Sequence, residues 1–216
     1  MPKQRPTEVM PIAYPKAIVQ ALQVLRQGGL VAFPTDTVYG VGAHAFLPEA
    51  VERIYHVKGR PLSKPIPLLL DGVDRLGRVT EFVPENALML AERFWPGPLT
   101  MVLTRSPEVP DVVTAGGPSV AVRVPDHDFA LRLIREAGGV LAATSANLSG
   151  RPDPVTAQEV LGYLEGRIDL ILDGGACPGG VPSTVVDLTG PSPRVVREGA
   201  IASEELNQAL AEPPRS

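Results

Sequence analysis

No apolar run in this chain goes far before a proline or a glycine stops it. The run at 30–33 closes on Pro34, the run at 119–124 closes on Pro125, and the helical spacing of 16–27 closes on Gly28 and Gly29. The 24 prolines and 21 glycines are scattered and form no low-complexity tract. Proline removes a backbone donor and glycine admits left-handed turns, so a chain cut this often builds from short strands and short helices. Hydrophobic residues make up 44% of it, enough to bury one core and too many for a disordered class.

Periodicity assigns the elements. Ala17, Ile18, Ala21, Leu22, Val24 and Leu25 share the face of a helix over 16–27. Further helices are predicted at 48–57 with Pro48 in the first turn, at 84–94, at 128–137, at 156–164 with Thr156 as cap, and at 203–210. Strands are predicted at 30–33, 66–70, 99–104, 119–124, 140–144, 169–172, 183–188 and 194–197. Pro67 points to an edge strand or an early position within one. Residues 34–46, PTDTVYGVGAHAF, read as a loop. Strands and helices alternate without a fixed period, and the last three strands have no helix between them. This predicts a mixed α/β sheet flanked by helices, not a purely doubly wound one. The expected division is an N-terminal extension over 1–14, a catalytic domain over 15–202, and a closing helix with a frayed tail over 203–216.

Formal charge is −4, which counts against bulk coating of nucleic acid but leaves room for a local basic cleft. The single cysteine, Cys177, has no partner for an internal disulfide, in keeping with a reducing compartment. The first residues carry no apolar run of signal-peptide length, and no stretch approaches a membrane helix. A cytoplasmic location is the expectation.

Two familiar nucleotide signatures fail. GxxxxGK[ST] is absent, and Gly40-Val41-Gly42-Ala43-His44-Ala45 lacks an acidic residue about twenty positions on, where Lys58 and Arg60 stand instead. His44, His56 and His127 have no metal-ligand spacing, and Ser145 lacks a GxSxG elbow, so no metal site or hydrolase triad is expected. Other segments concentrate chemistry at strand ends. Thr35-Asp36-Thr37-Val38-Tyr39 gathers hydroxyls, a carboxylate and a phenol, although a self-capped turn would use the same residues. Lys58, Arg60 and Lys64 lie in an extended segment between a helix and a strand, which suits phosphate as well as a solvated face. Ser145 and Asn147 follow a run of small residues that would let backbone approach a ligand. Arg123 is a charge inside an apolar strand and needs a partner, a ligand or an outward direction.

In order and spacing, PTDTVYG, KGRPLSKP, FWPGPLT, SVAVRVP, TSANLSG, PSTVVD and VVREG resemble the YrdC-like L-threonylcarbamoyladenylate synthases from about Gly29 to Gly199. The resemblance implies a YrdC-like twisted sheet of parallel and antiparallel strands with a concave basic cleft. It implies a nucleotidyltransferase that makes threonylcarbamoyl-AMP and pyrophosphate from L-threonine, bicarbonate and ATP, with Mg²⁺. The product would feed a partner machinery for threonylcarbamoyladenosine in tRNA. Carried over, it assigns threonine contacts to Thr37, Arg123, Ser145 and Ser183. It assigns ATP contacts to Arg60, Lys64, Ser119, Asn147, Val155 and Arg197, and it puts Lys58, Arg60 and Tyr39 in the catalytic cleft. Leu69 stands where some members place a polar threonine contact, and Val155 where others have Ser or Thr. One alternative is a paralogue that binds tRNA or double-stranded RNA through the same cleft. Another is the carbamoyl-AMP-forming part of a hydrogenase-maturation protein, whose other domains are missing here.

Overall fold

A computed structural model describes residues 6–211, and the tail expected at 212–216 lies outside the described residues. In chain order the elements are β1 (Glu8–Pro11), α1 (Ala17–Arg26), β2 (Val31–Phe33), β3 (Gly40–His44), α2 (Pro48–Lys58), β4 (Leu68–Leu70), α3 (Leu76–Val79), α4 (Glu85–Phe94), β5 (Leu99–Thr104), α5 (Asp111–Thr114), β6 (Ser119–Arg123), α6 (Asp128–Glu136), β7 (Val140–Ser145), α7 (Ala157–Leu164), β8 (Leu170–Asp173), β9 (Thr184–Asp187), β10 (Arg194–Arg197) and α8 (Ser203–Ala211). The strands form one sheet in the order β1-β8-β2-β3-β7-β4-β6-β5-β9-β10. Four pairs are parallel (β1 with β8, β2 with β8, β4 with β6, β5 with β9) and the other five antiparallel, as expected of a mixed sheet.

Local chemistry sets the helix ends. Pro48 starts α2, where a missing N–H costs nothing, and Gly59 ends it at φ 59. Thr156 and Glu159 close a capping box on α7, the Thr hydroxyl accepting from the Glu159 N–H and the Glu carboxylate from the Thr156 N–H.

The short helices α3 and α5 were not expected, and three features of the sheet depart from the sequence reading. Residues 40–44 are not loop but strand β3, paired antiparallel to β2 and β7 near the middle of the sheet. Gly40 and Gly42 hid it, because they supply no side chain to the alternation. They are small for a reason: a Cβ on Gly42 would stand 3.0 Å from the ring of Phe33. The same placement removes the GxGxxA signature, whose glycines are extended strand and not a turn into a helix. Strand β4 is interior, between β7 and β6, so the edge reading of Pro67 fails. The proline sits just before the ladder, where only its carbonyl is needed, and that accepts from the Ala143 N–H at 2.9 Å. Finally, residues 8–11, for which no element was expected, add an edge strand parallel to β8.

The two faces of the sheet are covered unequally. On one face Val41, Leu68, Leu99, Met101 and Val122 join the main core, with α2, α4, α5, α7 and α8 against it. On the other, α1 and α6 pack over Val31, Phe33, Leu69, Leu141, Ala143 and Leu170. Beyond β4 that second face passes to half-buried positions, Ser119 and Ala121 on β6, Val102 on β5 and Val185 on β9. The register puts them with functional side chains. Leu69 lies opposite Arg123, Val102 opposite Ala121, and Val185 is flanked by Thr100 and Arg197.

Candidate active site

Where α1 and α6 stop, a cavity of about 120 Å³ is walled by the 35–38 turn, the strands behind it, the segment leading into β9 and Arg197 at the end of β10. Thr37, Arg123, Ser145, Ser183 and Arg197, all expected from sequence, line it together. So does Leu69, which makes part of its wall apolar.

Arg123 ends β6 and is 7% exposed. Its Nε donates to the Gly97 carbonyl at 2.9 Å, Nη1 to Thr37 Oγ1 at 3.0 Å and Nη2 to Asp36 Oδ1 at 2.6 Å. Burial disfavours the charge most, and Asp36 opposes that loss. These contacts use three of the five N–H donors of a guanidinium, leaving two without an acceptor among the described residues. Asp36 also accepts from the Asp126 N–H at 3.1 Å, so the carboxylate is itself held.

Thr37 has a defined polarity. Thr35 Oγ1 donates to the Val38 carbonyl at 2.8 Å, so the 3.0 Å contact between the two Thr hydroxyls must use the proton of Thr37. Thr37 therefore accepts from Arg123, donates to Thr35 and offers the cavity a lone pair.

Across the cavity, Ser183 and Thr100 stand with their hydroxyl oxygens 2.7 Å apart. Arg197 donates to the Ser183 carbonyl at 2.6 Å and approaches its hydroxyl at 3.4 Å. Neighbouring Thr184 is fully buried and ties two segments together. Its Oγ1 accepts from the N–H groups of Gly199 and Ile201 at 2.9 and 3.0 Å and donates to the Ile201 carbonyl at 2.6 Å.

At the end of β7, Ser145 donates to Asn147 Oδ1 at 2.7 Å. Lys58 lies beneath this turn, 3% exposed. Its ammonium donates to the Ser145 carbonyl, to the Asn147 carbonyl at 2.6 Å and to Asn147 Oδ1 at 3.0 Å. All three donors are engaged, so the structure places Lys58 as a support of the turn and not on the cavity wall. Burial, reinforced by Arg60 and opposed by Asp153, brings its pKa down to about 8.

Other expected residues do not meet at the cavity. Tyr39 is fully buried in the main core, its hydroxyl donating to the Gly175 carbonyl at 2.8 Å and accepting from the Gly174 N–H at 3.1 Å. Burial pushes its pKa up to about 12. Arg60 folds back on its own segment, donating to the carbonyls of Lys64 at 3.0 Å and Pro65 at 2.7 Å, while Lys64 is exposed. Ser119 shares the face of Arg123 from the far end of β6, about 13 Å along the strand. Val155 has both backbone groups occupied, its N–H by Glu159 at 2.7 Å and its carbonyl by the Cys177 N–H at 2.8 Å. Thr100 and Asp153 line the cavity and were not singled out by sequence, while Asp36, noted only as the carboxylate of the 35–39 turn, proves to be the partner of Arg123. A signal for Thr100 existed: in Leu-Thr-Met-Val-Leu-Thr the apolar positions alternate with Thr100, Val102 and Thr104, the face that turns out to be open.

The Sua5/YciO/YrdC family model, described as telomere recombination, matches residues 23–199. A threonylcarbamoyl-AMP synthase from Pyrococcus abyssi is 47% identical over 188 residues, covering 87% of this chain and 55% of its own. One from Bacillus subtilis is 45% identical over 194 residues, covering 89% and 56%. The chain thus spans about half the length of these curated relatives. A putative threonylcarbamoyl-AMP synthase from Mycobacterium tuberculosis, 38% identical, is covered over 89% of its length. Among solved structures, P. abyssi Sua5 complexed with L-threonine superposes with a TM-score of 0.88 at 46% identity, over 90% of this chain and 57% of that one. Escherichia coli YciO does so with 0.82 at 30% identity, over 93% and 97%.

Proposed function

The chain belongs to the Sua5/YciO/YrdC family, and from that premise we propose that it makes L-threonylcarbamoyladenylate and pyrophosphate from L-threonine, bicarbonate and ATP. One juxtaposition carries the reading. A buried guanidinium with two N–H donors left over shares a single small cavity with the hydroxyls of Thr37, Ser145 and Ser183, and Arg197 lies on the same wall.

A planar fork suits a carboxylate, so Arg123 takes that of threonine. The lone pair of Thr37 receives an N–H or O–H of the amino acid, and Ser145 and Ser183 complete its polar surround. The neutral amine adds to CO2 formed from bicarbonate, and its proton leaves with the lost hydroxide, so the carbamate forms with net loss of one water. A carbamate oxygen then attacks the α-phosphorus, and the bond to the β-phosphate oxygen breaks to release pyrophosphate. Negative charge gathers on the nucleotide side, where Arg197, Arg60, Lys64, Ser119 and Asn147 supply donors, with Val155 contributing only a side-chain surface. Most of the rate comes from holding two anions in line, since no side-chain nucleophile is needed. Lys58 acts by fixing Ser145 and Asn147, and Tyr39 by fixing the 174–175 turn.

Mg²⁺ bound with the nucleotide would offset charge on the phosphate oxygens, and Asp153 would be the side chain to hold it. Among the described residues no group of three or more His, Cys, Asp or Glu is arranged to hold a metal, and Mg²⁺ commonly pairs phosphate oxygens with one or two carboxylates. Asp153 is the carboxylate on the cavity wall. No helix among the described residues is long and apolar enough to cross a membrane. The setting proposed is the cytoplasm, where the adduct passes to machinery that modifies tRNA, and the catalytic unit proposed is 15–202. Pyrophosphate release measured with each substrate omitted in turn tests the reaction. Release should require both threonine and bicarbonate; release that continues without threonine contradicts it.

A further inference from the structure

Thr100 and Ser183 are 4% and 7% exposed, and both line the cavity. Their oxygens are 2.7 Å apart, so one hydroxyl donates to the other. Two hydroxyls hold two protons, and the pair consumes one. Neither has another acceptor among the described residues, while Arg197 adds a donor toward Ser183 at 3.4 Å. Whichever oxygen donates, one O–H remains at the cavity wall with no protein acceptor. A buried donor left in that state is costly unless a ligand or water accepts from it.

We propose that Thr100 is a positioning residue: its hydroxyl, paired with that of Ser183, fixes a single O–H donor on an oxygen of the amino-acid substrate. This rests on the synthase reading above. Thr100 is well placed for the task because it sits within β5, laddered to β6 and β9, while Ser183 precedes β9 and has less backbone support of its own. Rotation of the Ser183 hydroxyl is otherwise limited only by the long contact from Arg197.

The test is threonine-dependent pyrophosphate release with Thr100→Val, Thr100→Ser, Ser183→Ala and the double variant Thr100→Val with Ser183→Ala. Valine keeps the branched shape and removes the hydroxyl. Thr100→Val should raise KM for threonine about tenfold while KM for ATP stays within about twofold, the size expected for one lost hydrogen bond at a neutral group. Thr100→Ser should restore KM to within about twofold of wild type, and the double variant should match Ser183→Ala, because partners acting as a unit are not additive. An unchanged KM in Thr100→Val, equal rises for threonine and ATP, no rescue by serine, or multiplying losses in the double variant would each overturn the proposal. If Thr100→Val does not fold, Thr100→Cys, of similar size with a weak S–H donor, is judged by the same criteria. Wild-type release that needs no threonine is a different failure: it removes the synthase reading and this inference with it.

Discussion

Arg123 illustrates how much one buried cation has to satisfy. It holds a backbone carbonyl, a hydroxyl and a carboxylate, and still keeps two donors without an acceptor among the described residues. Lysine offers a single point charge in that space and cannot reproduce the fork. Arg123→Lys should therefore raise KM for threonine about 10- to 100-fold, the range for a hydrogen bond to a charged group, with a much smaller change in KM for ATP. Equal changes in both would remove Arg123 from the amino-acid side. Lys58 gives a prediction in pH. Its pKa in the fold is about 8, below the ordinary lysine value, so between the two the unfolded chain binds more protons than the folded one. Stability conferred by the wild-type side chain, measured against Lys58→Met, should therefore rise from pH 8 toward the ordinary lysine range. Activity should fall over the same interval, because a neutral amine has two donors for three acceptors. A stability difference flat in pH would mean that burial does not depress the Lys58 pKa, its hydrogen bonds to the turn offsetting the cost. At this scale sequence was partly informative. Thr37, Arg123, Ser145, Ser183 and Arg197 were legible as polar groups at strand ends, and they meet. Lys58 and Tyr39 were legible as chemistry but not as supports, because only the fold shows which acceptors use up a donor.

Among the elements, the junction of β9 and β10 is the most tightly built part of the site. The Thr184 hydroxyl binds Gly199 and Ile201, and a Cβ on Gly199 would stand 2.2 Å from the Pro182 carbonyl oxygen and 2.6 Å from the Ser183 carbonyl carbon. Those are backbone atoms, which cannot swing aside. Gly199→Ala should cost about 1–3 kcal/mol, the usual range for overpacking, and should lower activity by displacing Ser183 and Arg197. Gly162 is the control. It lies inside α7 with open space around its Cβ position, so Gly162→Ala should be neutral or stabilising by about 0.5–1 kcal/mol. Thermal melting and threonine KM of the two variants separate crowding at the site from a general intolerance of added methyls. The six longer helices among the described residues were readable from sequence because their caps and apolar stripes are local, whereas α3 and α5, four residues each, are too short to show a stripe. Strand β3 was not, because half of its alternation is glycine and its function as a strand depends on Phe33 from β2 lying across it.

For the molecule as a whole, the decisive fact is that one face of a ten-stranded sheet is sealed by helices and the other is only partly covered. Sequence predicted a mixed sheet flanked by helices but not where the cover would stop, since that depends on how α1 and α6 divide the strands between them. The uncovered stretch is where β6, β5, β9 and β10 turn Arg123, Thr100, Ser183 and Arg197 into a common space. In the proposed reaction the product's new bonds are a carbamate N–C and a mixed anhydride to phosphorus. The most direct test is to supply ¹³C-bicarbonate, ¹⁵N-threonine and ATP and to identify the nucleotide product by mass and by ¹⁵N–¹³C coupling. The expected product is an AMP adduct carrying one ¹³C bonded to the threonine nitrogen, formed in step with pyrophosphate. An adenylate of threonine without the labelled carbon, or pyrophosphate with no adduct, would contradict the proposed reaction.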